Sequence, residues 1–165
     1  MNKPILDACC GGKMFWFDKS NPLAIFADIR SGHETFTDRG NTRTLEISPD
    51  IIHDFTKMPF TDGQFKLVIF DPPHLTHGGD KSWLVKKYGR LEKNWQEQLS
   101  KGFSECFRVL DEYGILIFKW NETQVSVSDI LNLAPYSPII GHKSGKRSNT
   151  HWIVFMKNEL TKKTR

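Results

Sequence analysis

The amino-acid sequence predicts an α/β fold: a mostly parallel, doubly wound sheet with an antiparallel strand pair at its C-terminal end and an inserted β-hairpin. Three observations lead there. Phe65-Lys66-Leu67-Val68-Ile69-Phe70 is an apolar run with β-branched and aromatic residues, bounded by Asp62-Gly63 and Pro72-Pro73, as in a strand buried on both faces of a parallel sheet. Three earlier apolar segments end in acids, Asp7, Asp28 and Asp54, and Asp71 follows this fourth one. From Leu91 to Leu110, Trp95, Leu99, Phe103, Cys106 and Leu110 keep helical spacing, which predicts an amphipathic helix on the sheet with Cys106 in the core.

Taken in order, Pro4-Ile5-Leu6-Asp7-Ala8 is the first strand, with only three residues before it, and Cys9-Cys10-Gly11-Gly12 follows as a turn. Small residues and glycines there let the backbone approach a ligand that a Cβ would obstruct. Leu23 to Asp28 is the second strand, and its acid lies about where one takes the ribose hydroxyls of a nucleoside-containing cofactor. Glu34-Thr35-Phe36-Thr37 and Arg43-Thr44-Leu45-Glu46-Ile47 alternate around the turn formers Asp38 to Asn41, which predicts the hairpin. Such a hairpin could cover the cofactor, touch the substrate or mediate a dimer. Asp50 to Asp54 is the third strand, and Asp54-Phe55 stand where a carboxylate and a ring would meet a purine.

Leu75 to Gly89, with Gly78-Gly79, reads as a mobile loop in which Trp83 and Tyr88 could stack bases. A fifth strand spans Ile115 to Trp120, and a short helix runs from Ser126 to Ala134, capped by Ser126 or Ser128 and stopped by Pro135. Tyr136 to Ile140 and His151 to Met156 form the final antiparallel pair around a polar, basic loop.

A chain of 165 residues suffices for a single domain, residues 1–165, with one core. No apolar run is long enough to span a bilayer and no signal peptide opens the chain, so a soluble, cytoplasmic protein is expected. Three cysteines match no zinc module and read as reduced thiols. A net charge of +4, with basic clusters at 81–93, 143–147 and 162–165, favours a polyanionic partner.

The chemistry concentrates at Asp71-Pro72-Pro73-His74, because ligands in open α/β sheets gather beyond the carboxyl ends of the strands. Two prolines remove two donors and leave carbonyls to accept from a ligand; Asp71 adds a carboxylate, and the pair suits an exocyclic amine with two N–H groups. His74 offers a ring to stack on that base, or a proton to move.

These motifs resemble the class I S-adenosylmethionine-dependent methyltransferases. Leu6 to Gly12, Asp28, Asp54 to Val68 and Asp71-Pro72-Pro73-His74 carry the likeness, over most of the chain from Pro4 to Lys157. The last motif looks like the Asp-Pro-Pro-aromatic signature of amino-methyltransferases acting on adenine or cytosine, in the gamma order, and the whole is similar to small methyltransferases of phages and prophages. The resemblance implies a Rossmann-like fold and S-adenosyl-L-methionine as cofactor. Asp7, Ala8, Cys9, Cys10, Gly11 and Gly12 would hold its methionine part, Asp28 the ribose, and Asp54 with Phe55 the adenine. Asp71, Pro72, Pro73 and His74 would be catalytic, methylating a nucleobase amine in DNA or RNA by in-line transfer, with a homodimer as one assembly. His74 replaces the usual Tyr, Phe or Trp, and Cys9-Cys10-Gly11-Gly12 departs from Gly-x-Gly.

Three other readings compete. A protein side chain or small molecule could be the acceptor, since a glutamine amide presents the same donors. A non-catalytic module binding S-adenosylmethionine or RNA would share the fold. Asp71, His74, His77 and Asp80 alternate nitrogen and oxygen ligands for a divalent ion, against which the main reading expects no metal.

Overall fold

The computed structural model describes residues 3–38, 40–79 and 82–164. Arg39 of the expected hairpin turn, Asp80 of the metal alternative, and Lys81 and Arg165 of the basic clusters lie outside these residues. Strands run at β1 (Ile5–Asp7), β2 (Ala24–Asp28), β3 (Gly32–Asp38), β4 (Asn41–Ile47), β5 (Ile51–Ile52), β6 (Phe65–Phe70), β7 (Leu110–Asn121), β8 (Ile140–Lys143) and β9 (Thr150–Met156). Helices are α1 (Trp83–Tyr88), α2 (Trp95–Val109) and α3 (Val127–Leu131), with a 3-10 turn at Glu159–Thr161. Among the described residues no helix is long and apolar enough to cross a membrane.

Seven strands form one sheet in the order β5-β2-β1-β6-β7-β9-β8, and β3 with β4 form a separate antiparallel hairpin. The five strands from β5 to β7 are parallel, and β9 runs antiparallel to both of its neighbours. The free carboxyl ends of β5, β2, β1, β6, β7 and β8 therefore share one rim, and the turn after Lys143 lies on it too.

One face of the sheet is built for helices. Register aligns Leu6, Val68, Leu116 and Phe155 across four strands, and Phe70, Phe118 and Ile153 in the next row. Leu99, Phe103, Cys106 and Phe107 of α2 and Ile130 of α3 are buried against that face. Four such side chains on α2 are worth roughly 6–12 kcal/mol at about 1.5–3 kcal/mol each. The Asn94 side chain makes no capping bond, so burial rather than capping holds this helix.

Gly102 brings α2 close: a Cβ there would sit 2.8 Å from ring atoms of both Phe55 and Phe70. Gly102→Ala is expected to destabilise the fold by about 1–3 kcal/mol, overpacking outweighing the roughly 1 kcal/mol gained in helix propensity. Urea denaturation checks this, and an unchanged midpoint would contradict it.

Several boundaries differ from the sequence reading. The expected loop 75–89 contains α1, whose Trp83 stacks on Phe36 of the hairpin with centroids 6.2 Å apart. The helix expected from Leu91 begins at Trp95. β7 starts at Leu110 rather than Ile115, because a register shift opposite Phe65 and the left-handed Tyr113 (φ 59) absorb the extra residues. β8 begins at Ile140, where a strand from Tyr136 was expected to end; Pro138 has no donor for a ladder. β5 stops at Ile52, so Asp54 lies two residues past its strand.

Candidate functional site

β1, β2 and β6 are neighbours, so their tips bring Asp7, Asp28 and Asp71 together at the rim. Asp7 is completely buried. Its Oδ2 accepts from Trp16 Nε1 at 2.8 Å and its Oδ1 from the Cys9 amide at 3.4 Å. Burial pushes its carboxyl up to about 7, with the Asp71 and Asp28 charges adding to the rise. Asp28 Oδ2 accepts from the Gly11 amide at 2.9 Å, while Oδ1 takes Arg30 N at 2.9 Å and Arg30 Nε at 3.2 Å. The two acids thus brace the Cys9–Gly12 turn from beneath. Gly11 is left-handed (φ +47), and a Cβ on Gly12 would come within 3.2 Å of Leu45 Cδ1 of the hairpin. Burial holds both neighbouring thiols protonated, Cys10 up to about 12 and Cys9 well above its usual range.

Asp71 lies one residue beyond β6, and its Oδ2 accepts from Lys119 Nζ of β7 at 2.8 Å. Both side chains are about one-fifth exposed, at 19% and 21%. Burial raises the Asp71 carboxyl, and Lys119 opposes that rise. His74 sits 5.1 Å from the Tyr88 ring and 6.4 Å from Trp120. Burial, then the Lys119 charge, lowers its imidazole to about 4, so the ring is neutral at pH 7.

Two clefts meet at these residues. The first is lined by Cys9, Cys10, Gly11, Gly12 and Arg30. The second is lined by Leu75, Leu84, Lys119, Asn121 and Thr150. Asp71, His74 and Tyr88 line both, and Pro72 lines the first.

α1, whose Tyr88 lines both clefts, is tied down from two sides. Arg30 Nη1 donates to the Lys86 carbonyl at 3.1 Å, joining the β2 tip to α1. Lys86 Nζ lies 3.4 Å from Glu34 Oε2, joining α1 to the hairpin. The left-handed Gly89 (φ +77) lets the end of α1 lie against Pro73, 3.1 Å from where a Cβ would be.

No family model and no curated protein matches the sequence. Among solved structures, a Pyrococcus horikoshii protein is similar at 16% identity and TM-score 0.59, over 93% of this chain and 81% of that one. A SAM-dependent methyltransferase from Methanosarcina mazei is similar at 14% identity and TM-score 0.56, over 93% and 91%. A TehB-like SAM-dependent methyltransferase from Corynebacterium glutamicum is similar at 14% and 0.56, over 95% and 81%. The chain has the methyltransferase fold.

Within this methyltransferase fold, not every sequence-selected residue faces the clefts. Asp54 is exposed, and its Oδ1 accepts from Thr56 N and Oγ1, both at 2.8 Å. Phe55 is 7% exposed and turns its ring edge-on into Phe70, into the core rather than along a ligand. Asp28 already accepts one N–H on Oδ2 and two on Oδ1, which leaves one acceptor site, on Oδ2, for a ribose hydroxyl. Ala8 is buried behind the turn; His53, which the sequence reading passed over, reaches its carbonyl with Nε2 at 2.9 Å. Lys119, Arg30, Asn121 and Thr150 were also passed over. Lys119 left one readable sign: it is the lone charge in the apolar run 115–120. Among the described residues no three His, Cys, Asp or Glu side chains gather as a metal-ligand set.

Proposed function

We propose that the chain is an S-adenosylmethionine-dependent methyltransferase acting on an exocyclic amine of a nucleobase, adenine N6 or cytosine N4, in DNA or RNA. The observation that supports this most is the shared wall: Asp71 and His74 stand between a cleft floored by the glycine turn and a second cleft with polar and basic walls. The first cleft suits the donor. Its turn has no Cβ at Gly11 or Gly12, and the acids Asp7 and Asp28 lie beneath that turn, where an ionised carboxylate favours a donor with positive sulfur. S-adenosylmethionine supplies a methyl group on positive sulfur, already activated for in-line displacement.

The chain's own residues have three tasks. Asp71 accepts an N–H of the acceptor amine, and the Pro72 carbonyl takes the second, which aims the nitrogen lone pair across the shared wall. Lys119 opposes the rise that burial imposes on the Asp71 carboxyl and so favours its ionised, accepting form. His74, neutral, and Tyr88 present ring faces for the base. Exposed Lys146 and Arg147, in the turn between β8 and β9, stand at the rim that carries Thr150 and favour a phosphate-bearing acceptor.

The test is transfer of a labelled methyl group to DNA, RNA and total protein. Label in N6-methyladenine or N4-methylcytosine is expected. Label confined to protein or small molecules would overturn the acceptor, and none in any fraction would overturn the activity.

A further inference from the structure

Lys119 stands beside Asp71 because the strands pair Phe70 with Phe118, one residue earlier in each. Its Nζ donates to Asp71 Oδ2 at 2.8 Å, and among the described residues that is the one hydrogen bond it makes. An ammonium carries three N–H donors, so two are unspent on a side chain that is only 19% exposed. The Phe15 and Trp152 rings, with centroids 5.7 Å from Nζ, offer no lone pair to take them. Mostly buried donors without acceptors are costly, and both Lys119 and Asp71 line the second cleft.

The pair thus presents a donor and an acceptor side by side, since Asp71 Oδ2 keeps a second acceptor site. An exocyclic base amine has the complementary edge: an N–H and, across one carbon, a ring nitrogen with a lone pair, adenine N1 or cytosine N3. Two C–N bonds of about 1.33 Å at about 120° put those nitrogens roughly 2.3 Å apart, close to the 2.8 Å between Oδ2 and Nζ. An alkyl amine has no such lone pair beside its nitrogen. The pair is neutral overall, so it adds no net charge where the amine becomes cationic on methylation.

We propose, building on the reading of the chain as a base-amine methyltransferase, that Lys119 determines acceptor specificity: its ammonium donates to the ring nitrogen beside the target amine while Asp71 accepts from the amine. A counter-ion role alone would use one N–H and ask nothing of the ligand. Asn121, the next residue on this side of β7, stands about 6.8 Å further along the strand. Its carboxamide holds the cleft wall, with Oδ1 accepting from Thr123 N at 3.1 Å and Nδ2 donating to Thr150 Oγ1 at 3.2 Å.

The test uses an oligonucleotide that takes label from the wild-type chain, with the target adenine replaced by 1-deazaadenine or the target cytosine by 3-deazacytosine. Each deaza base keeps the amine and puts C–H in place of the ring nitrogen. Wild type should prefer the parent base about 10–100-fold in kcat/KM, as one charge-assisted hydrogen bond implies. Lys119→Met should lower transfer to both bases and shrink that preference at least about fivefold. Intrinsic differences between the two amines enter both proteins equally, so the change in the ratio isolates the contact. The same preference in both proteins, or none in wild type, would overturn this inference and leave the methyltransferase reading standing; the wild-type comparison needs no variant to fold. Absence of label in every oligonucleotide would overturn both.

Discussion

Asp71→Asn is expected to lower methyl transfer about 10³-fold while leaving S-adenosylmethionine affinity within about threefold, because the change removes an acceptor charge that acts on the amine and not on the donor. Asparagine keeps the size and one carbonyl, and it can turn an N–H toward the acceptor, which misorients the amine. Asp71→Ala should be as inactive and less stable, since it strands the Lys119 ammonium beside Phe15 and Trp152, whose ring centroids are each 5.7 Å away. Breaking one partner of a mostly buried pair typically costs more than removing both. Asp71→Ala combined with Lys119→Met should therefore recover stability, by about 1–2 kcal/mol, without recovering activity. Labelled methyl transfer, calorimetry and urea denaturation read the three quantities apart. Full transfer by Asp71→Asn would remove Asp71 from the chemistry.

The second large effect concerns Asp7. Its carboxyl is raised from 3.8 to about 7 in the fold, so the folded state binds the proton more tightly than the unfolded chain does. The stability associated with that proton is fully present below the unfolded value and is lost as pH rises through about 7. Three units correspond to about 4 kcal/mol at most. Asp7→Asn, which keeps an acceptor for Trp16, should be more stable than wild type at pH 8, and the difference should shrink toward pH 4. The same substitution should weaken S-adenosylmethionine binding at least about tenfold, since it removes a negative charge beneath a ligand of net positive charge. Wild-type affinity should rise with pH through 7 and the variant's should not. Equal denaturation midpoints at pH 8, or parallel affinity profiles, would contradict this account.

Particular residues show what the sequence could disclose. β6 was legible because Phe65 to Phe70 is apolar and bounded by turns, and the hairpin because 34–47 alternates around a polar turn. The parallel order followed from apolar segments ending in acids. α1 was not legible: Trp83 to Tyr88 is too short for a period to show, and Phe36, Arg30 and Glu34 from distant strands hold it. Phe55 was misplaced because its surroundings depend on Gly102, 47 residues later, which opens the space its ring fills. The Lys119–Asp71 pair joins neighbouring strands 48 residues apart. Only the incongruity of a lysine in an apolar strand hinted at it. The doubly wound pattern implied helices on both faces, yet the connections after β1, β2 and β5 are loops and a hairpin, so Phe15 and Trp16 rather than a helix cover that side.

The account rests on the glycine turn and the acids beneath it holding a cationic nucleoside at the rim. Calorimetric titration of the wild-type chain with S-adenosylmethionine tests that most directly. One saturable site per chain, weakened by Asp7→Asn and kept by Asp71→Asn, is the expected result. No saturable heat at millimolar S-adenosylmethionine would contradict the account.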